Sequence, residues 1–116
     1  MDRIDIFRQA IDKAMTAYVK DRSHSQSFSG LQFERITDLN NNRFLLTLVG
    51  WKDDERIYHY HLIFHADIIG DKIWIQEDNS DESAALLLEQ QGVDKKDIVL
   101  AYYPDYHRAH TAYAVS

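Results

Sequence analysis

The stretch Asp67 to Gln76, which reads DIIGDKIWIQ, decides the fold of this chain. One apolar strand ends in it, Gly70-Asp71 forms a tight turn, and a second strand follows with Trp74 between two isoleucines. Apolar runs separated by a two-residue turn that contains glycine are typical of a β-hairpin. The stretch therefore predicts two antiparallel neighbours, and it carries no catalytic motif.

Further strands are predicted upstream of this hairpin. Phe44 to Val49 is almost continuously apolar, as expected for a central strand, and Leu31 to Asp38 has the mixed alternation of another strand. Asn40-Asn41-Asn42 predicts the turn between them, because asparagine adopts left-handed conformations cheaply. With Arg56 to Asp67 and Lys72 to Gln76, these segments predict an antiparallel four-stranded meander.

Alternation along Arg56 to Asp67 predicts that one face carries aromatic residues and the other carries histidines. Tyr58, Tyr60, Leu62 and Phe64 should face one way, and His59, His61, Ile63 and His65 the other, together with Asp67. Strand neighbours two positions apart lie about 7 Å from each other, so two imidazoles could converge on a metal ion. A half-exposed face of titratable residues is the simpler interpretation, and we predict no metal site. A metal-dependent enzyme that uses His59, His61 and Asp67 is the remote alternative.

Helices are predicted on both sides of the meander. Apolar residues recur at three- and four-residue steps over residues 3–21, with Asp2 as the N-cap. A second helix is predicted to start near Ser80 and to end before Gly92. A mixed C-terminal segment follows, with a short buried strand or extended stretch at Ile98 to Tyr102 and a turn or short helix from Pro104. The pattern predicts an α+β fold in a single domain that spans residues 1–116.

Composition excludes several classes of protein. The chain has no cysteine, which excludes disulfide scaffolds, thiol nucleophiles and cysteine-ligated metals. No apolar run approaches the roughly 20 residues that a transmembrane helix needs, and the charged N-terminus does not resemble a signal peptide, so we expect a cytoplasmic protein with no membrane contact. No hydrolase, nucleotide-binding or other catalytic motif is present, and we predict a non-enzyme without a cofactor.

Charge argues against stand-alone DNA binding. The net charge is −6, and the deficit lies entirely in residues 59–116, which hold four Lys/Arg and ten Asp/Glu. DNA binding depends on neutralising phosphates, so direct nucleic-acid contact is not expected. The candidate surface for the DNA-binding alternative is the first helix, with Arg3, Arg8, Lys13 and Lys20.

The densest acidic cluster lies between the last strand of the meander and the second helix. Its members are Glu77, Asp78, Asp81 and Glu82. Carboxylates could hold Mg²⁺ in a hydrolase, but the loop lacks the glycine and the distal glutamate of an EF-hand. Carboxylates near a helix start are stabilised by its dipole, which favours a structural role.

Aromatic residues indicate an interaction surface. Tyrosine, tryptophan and arginine are enriched at protein interfaces, and the tyrosines exceed what a 116-residue core should hide. We predict that the chain buries aromatic surface against another subunit, most simply in a homodimer, or against a different protein. The predicted contact region consists of Tyr102, Tyr103, Pro104, Tyr106 and Arg108. Core packing under the second helix is the alternative for Tyr102 and Tyr103.

Several segments of the chain together resemble the XisI family, the fdxN element excision controlling factors of cyanobacteria. The resemblance rests on RFLLTLVGW (Arg43–Trp51), His65-Ala66-Asp67-Ile68, DIIGDKIWIQ (Asp67–Gln76), KKDIVLAYYP (Lys95–Pro104) and TAYAV (Thr111–Val115). His59 and His61 lie outside the family pattern, and Asp78-Asn79-Ser80-Asp81 stands where the family typically has Asp-Gly-Thr-Glu. The resemblance implies an accessory factor in programmed excision of a DNA element, in which a separate recombinase performs the strand chemistry and a XisH-like protein is the partner.

Overall fold

The computed structural model describes residues 2–53 and 56–116 of the chain. The helices in these ranges are α1 (Arg3–Arg22), α2 (Ala84–Gln90) and α3 (Asp105–Arg108), with 3₁₀ turns at Gln26–Phe28 and Lys95–Asp97. The strands are β1 (Leu31–Asp38), β2 (Arg43–Trp51), β3 (Tyr58–Ile69), β4 (Lys72–Asp78) and β5 (Ile98–Leu100). In these ranges no helix has both the length and the apolar character needed to cross a membrane.

The five strands form one sheet in chain order, β1-β2-β3-β4-β5. β1 to β4 are antiparallel neighbours, which confirms the α+β fold and its meander. The segment Ile98 to Tyr102, predicted as a strand or an extended stretch, contains the strand β5. This strand pairs with β4 in parallel. The parallel pairing requires a crossover, which α2 supplies. The outer edge of β5 is partly covered by the C-terminus, where the Ala114 amide donates to the Ile98 carbonyl at 2.9 Å.

Local sequence explains how α1 begins and which side it buries. The Asp2 side chain accepts a hydrogen bond from the Asp5 amide at 2.9 Å, as expected of an N-cap. Six residues at three- and four-residue steps form the buried stripe: Phe7, Ala10, Ile11, Ala14, Met15 and Tyr18. The predicted helix over residues 3–21 is confirmed to within one residue. This stripe packs with α2 on one face of the sheet to form the main core.

The start of α2 differs from the prediction. Ser83, rather than Ser80, is the N-cap, and its hydroxyl accepts from the Leu86 amide at 3.2 Å. Ser80 is instead held by Asp78, whose carboxylate accepts from the Ser80 amide and hydroxyl and from the Ala84 amide. Because Asp78 folds residues 78–83 into a closed turn, the helix begins three residues later than the sequence suggested.

β3 contains a bulge that changes which residues share a face. Leu46 pairs with Phe64, whereas the next residue of β2, Thr47, pairs with Leu62, so Ile63 has no partner of its own. One extra residue reverses the alternation on one side of the bulge. The prediction that Tyr58, Tyr60 and Leu62 share a face with Phe64 is therefore wrong. Phe64, Ala66 and Ile68 face the helices and are buried, while the two tyrosines and Leu62 face the opposite side.

Arg22 joins the end of α1 to the loop before α2. Its guanidinium lies 3.6 Å from the centre of the Tyr18 ring and donates to Asp81 at 2.5 Å and to Glu82 at 3.0 Å. Only 12% of the Arg22 side chain is exposed, so the ion pairs are partly shielded from water on the arginine side. The contacts connect the two helices that cover the sheet.

We expect Arg22→Ala to lower the free energy of unfolding by about 1–3 kcal/mol, because it removes a charge-assisted hydrogen-bond pair together with packing against Tyr18. Arg22→Lys is the matched control. It keeps the charge but loses the planar fork, so its loss should be intermediate. Urea unfolding of the three proteins measures this order, and an alanine variant as stable as wild type would contradict the structural role.

Acid should weaken this contact. The hydrogen bond from Arg22 holds the pKa of Asp81 below its usual value. A folded-state pKa below the unfolded one stabilises the protein above the unfolded value of about 3.9, and this contribution is lost as the pH falls through the folded pKa. We therefore expect Asp81→Asn to be less stable than wild type at neutral pH, with a difference that shrinks below about pH 4. Unfolding titrations across this range test the linkage, and a difference independent of pH would refute it.

Candidate interaction surfaces

The bulge at Ile63 separates the histidines and carboxylate that the sequence placed on one face. By register, His61 is opposite Leu48 and His59 is opposite Gly50, on the side of the sheet that carries the helices. Asp67, opposite Arg43, lies on the other side. The remote metal-site constellation of His59, His61 and Asp67 is thus not assembled. Among residues 2–53 and 56–116, no group of three or more side chains is arranged to hold a metal ion.

The histidines have local partners instead. His59 Nδ1 lies 3.0 Å from His61 Nε2, so an N–H of one ring donates a hydrogen bond to the other ring. His65 Nε2 lies 2.8 Å from a carboxylate oxygen of Asp67, and the Gln76 amide donates to the other oxygen at 3.3 Å. Asp67 is buried, and these contacts, with Arg43 3.4 Å away, compensate its charge. This arrangement stabilises the β3–β4 hairpin rather than forming an open site.

The acidic cluster between β4 and α2 has structural contacts. Asp78 closes the loop before α2, and Asp81 and Glu82 pair with Arg22. The predicted structural role is therefore supported, although ion pairing and loop closure replace the helix-dipole effect, since none of these residues lies in the first turn of α2.

The basic residues of α1 do not form one stripe. Arg3 donates to the Asp71 carbonyl and pairs with Asp97, whereas Arg8 donates to Asn42 and to the Leu39 carbonyl. These two arginines lie on opposite flanks of the buried stripe, because five residues advance the helix by about 140° beyond a full turn. Lys13 and Lys20 are exposed on the side away from the core. A duplex that contacted both lysines would meet neither arginine.

The predicted contact region at the C-terminus divides into structural and exposed residues. Arg108 is structural: it donates to the Tyr103 carbonyl at 2.7 Å, the Val115 carbonyl at 3.1 Å and the Ala101 carbonyl at 3.4 Å. Its guanidinium also lies 5.5 Å from the centre of the Trp74 ring. Arg108 therefore fixes the segment after β5 against the side of the sheet opposite the helices.

The tyrosines of this region differ in exposure. Tyr103 is half-buried against the core and stacks on His107, with ring centres 4.1 Å apart and planes 1° from parallel. Burial, followed by the nearby negative charge of Asp78, raises the pKa of Tyr102 to about 12, so its hydroxyl stays protonated. Tyr106 is 74% exposed on the single turn of α3. We call Tyr102, Pro104 and Tyr106 the C-terminal corner, because all three are exposed.

A second surface was not predicted as a unit from the sequence. Among the apolar residues on the side of the sheet opposite the helices, we call six the aromatic sheet face: Ile36, Val49, Trp51, Tyr58, Tyr60 and Leu62. Trp51, Tyr58 and Tyr60 are 60%, 52% and 65% exposed. The signal was present in the alternation of Tyr58 and Tyr60. Continuing this alternation through the bulge assigned both rings to the same face as Phe64.

Comparisons with known proteins agree with this architecture. A model of the XisI protein family matches residues 1–115. The structure is similar to that of a XisI-like protein from Anabaena variabilis, with a TM-score of 0.80 and 29% identity over 97% of this chain and 99% of that chain. It is also similar to the fdxN element excision controlling factor XisI from Anabaena variabilis, with a TM-score of 0.74 and 25% identity over 99% of this chain and 100% of that chain.

A search of curated proteins gave no match. The family match nevertheless covers nearly the whole chain, and the similarity to both solved structures extends over 97% or more of it. The resemblance drawn from the sequence is confirmed, and the chain belongs to the XisI family.

Proposed function

We propose that this chain is a cytoplasmic, non-catalytic accessory factor in programmed excision of a DNA element, and that it acts by binding a XisH-like protein. The excision role comes from similarity to a protein described as an excision controlling factor. A non-catalytic role agrees with the histidines and carboxylates described above, which have local structural partners. The strand chemistry then belongs to a separate recombinase.

The observation that supports contact with a partner protein is the exposure of Tyr106 on a short helix with a fixed backbone. Its helical turn follows Pro104, and Arg108 anchors the chain on both sides of that turn. A backbone held in this way loses little conformational entropy on binding. Exposed tyrosines that are already positioned are typical of residues that dominate binding energy. The C-terminal corner is therefore our candidate contact for the XisH-like partner.

We expect Tyr106→Ser to weaken binding of the XisH-like protein at least tenfold, which corresponds to about 1.4 kcal/mol. Tyr106→Phe is the matched control, since it keeps the ring and should retain most of the affinity. Titration calorimetry with the purified partner gives both values. The two Tyr106 variants should have the melting temperature of wild type. Arg108→Ala should have a lower one, because three carbonyls lose their hydrogen-bond donor.

If wild type does not bind a XisH-like protein, the proposed function is wrong. If wild type binds and Tyr106→Ser binds equally well, the partner is right but the C-terminal corner is not the contact. The two outcomes are distinguishable in one set of titrations.

Direct DNA binding should be weak. The net charge is −6, and the arginines of α1 already have partners within the chain. Fluorescence anisotropy at about 150 mM salt should give no affinity tighter than the 10⁻⁴–10⁻⁶ M typical of non-specific binders, for random and element-end duplexes alike. Sub-micromolar, sequence-dependent binding that is lost in a Lys13→Glu, Lys20→Glu double variant would establish DNA binding as the function instead.

A further inference from the structure

The sheet has one side that its own chain covers only in part. The helices α1 and α2 cover most of one side, and the segment after β5 covers β4 and β5 on the other side through Arg108 and Trp74. On that second side, the part of the chain that the structure describes leaves Ile36 of β1, Trp51 of β2, and Tyr58 and Tyr60 of β3 about half exposed or more. A two-layer fold that leaves three strands of apolar surface in water has a place for another layer.

The aromatic sheet face is large enough to form the centre of a protein interface. Aromatic side chains bury about 150–250 Å² each, so three rings at 52–65% exposure, with Ile36 at 47%, offer on the order of 400–500 Å². That is at the upper end of apolar patches on monomers, and it is more than half of the roughly 800 Å² that each partner contributes to a standard interface. Polar residues at the rim, among them Gln32 and Glu34, would supply the remainder.

The interior of the face is free of unsatisfied polar atoms. By register Thr47 lies between Glu34 of β1 and Leu62 of β3, and its hydroxyl donates to the Glu34 carbonyl at 3.2 Å. Among the residues that the structure describes, every charged side chain on this side lies at the rim or, like Asp67, beyond it. Burial of the face therefore removes no charge from water, and a surface of the same kind can cover it.

The pairing register makes the face complementary to itself. A two-fold axis that runs along the strands between β2 and β3 lays β2 of one copy over β3 of the other. The contact is confined to residues 47–51 and 58–62, because past Leu46 and Phe64 the end of β1 would lie over β4 and the segment after β5, which already covers it. By register, Trp51 then meets Tyr58, Val49 meets Tyr60 and Thr47 meets Leu62 of the second copy. Two sheets stacked face to face in this way form a β-sandwich, in which layers lie about 10 Å apart.

We propose that the aromatic sheet face binds a second copy of this chain, forming a two-fold homodimer with the two sheets at its centre and the helices outside. This interface lies apart from the C-terminal corner. The dimer thus presents two corners for the partner of the proposed function, and its existence does not depend on that function.

The test is the oligomeric state of the full chain by sedimentation velocity over a concentration series. Wild type is a dimer. Tyr60→Arg and, independently, Tyr58→Arg place two like charges in the interface and raise the dimer dissociation constant at least a hundredfold. Leu86→Arg is the matched control, because Leu86 is 50% exposed but lies on α2, on the opposite side of the sheet. It leaves the dimer unchanged.

Circular dichroism confirms that the variants are folded, and two independent positions keep the test valid if one variant is not. A wild type that is monomeric throughout the concentration series overturns the proposal. A dimer that survives both tyrosine substitutions, or that is broken by Leu86→Arg, overturns it as well.

The register of the two copies has its own test, because the chain has no native cysteine. Val49→Cys and Tyr60→Cys proteins are mixed under mild oxidation and compared with each variant alone. The two-fold axis between β2 and β3 brings Val49 of one copy to Tyr60 of the other, so the mixture forms a disulfide-linked heterodimer in excess over either homodimer. Equal yields in all three samples overturn this axis.

Discussion

The single extra residue at Ile63 determines the faces of the sheet. Without it, Tyr58 and Tyr60 would continue the alternation of Phe64 and face the side of the sheet that carries α1 and α2. With it, both rings point away from the helices, and His59 and His61 replace them on the helical side. A bulge strengthens local twist and redirects side chains, so one backbone irregularity creates the aromatic sheet face and also disperses the histidine and carboxylate constellation.

Two arginines hold the parts of the chain that regular secondary structure does not. Arg22 connects the end of α1 to the acidic loop before α2, and Arg108 connects the segment after β5 to Trp74 and three carbonyls. Each presents a planar group that bonds at its edge and stacks on a ring. These contacts explain why an acidic chain has few arginines available for an external anion: Arg3, Arg8 and Arg35 also have partners within the chain.

The two proposed surfaces differ in shape and chemistry, and each suits a different kind of partner: another protein or a second copy of this chain. The C-terminal corner presents one prominent ring on a short, anchored turn, which suits insertion into a pocket of another protein. The aromatic sheet face is broad and apolar, which suits a second sheet of the same kind. In a dimer of the proposed geometry the helices and the acidic loops lie outside, so the net charge of −6 per chain is spread over the outer surface.

Local sequence determined most elements of this protein. The apolar period of α1, the turns at Asn40-Asn41-Asn42 and Gly70-Asp71, and the helix end at Gly92 depend on neighbours in the chain, and so they could be read from it. The α+β class and the meander followed from their order. The family could also be recognised, because matching segments recur at compatible spacing along nearly the whole chain.

Tertiary structure decided the bulge at Ile63, the parallel pairing of β5 and the roles of Arg22 and Arg108. Alternation of residue types is the same with or without a bulge, because the extra residue is specified by the partner strand and by the space beneath the helices. Arg22 and Arg108 look like any surface arginine in the sequence, since their partners are carbonyls, carboxylates and rings brought close only by folding. The exposure of the tyrosines depends on both effects, and for this reason only the folded chain shows which of them can meet another molecule.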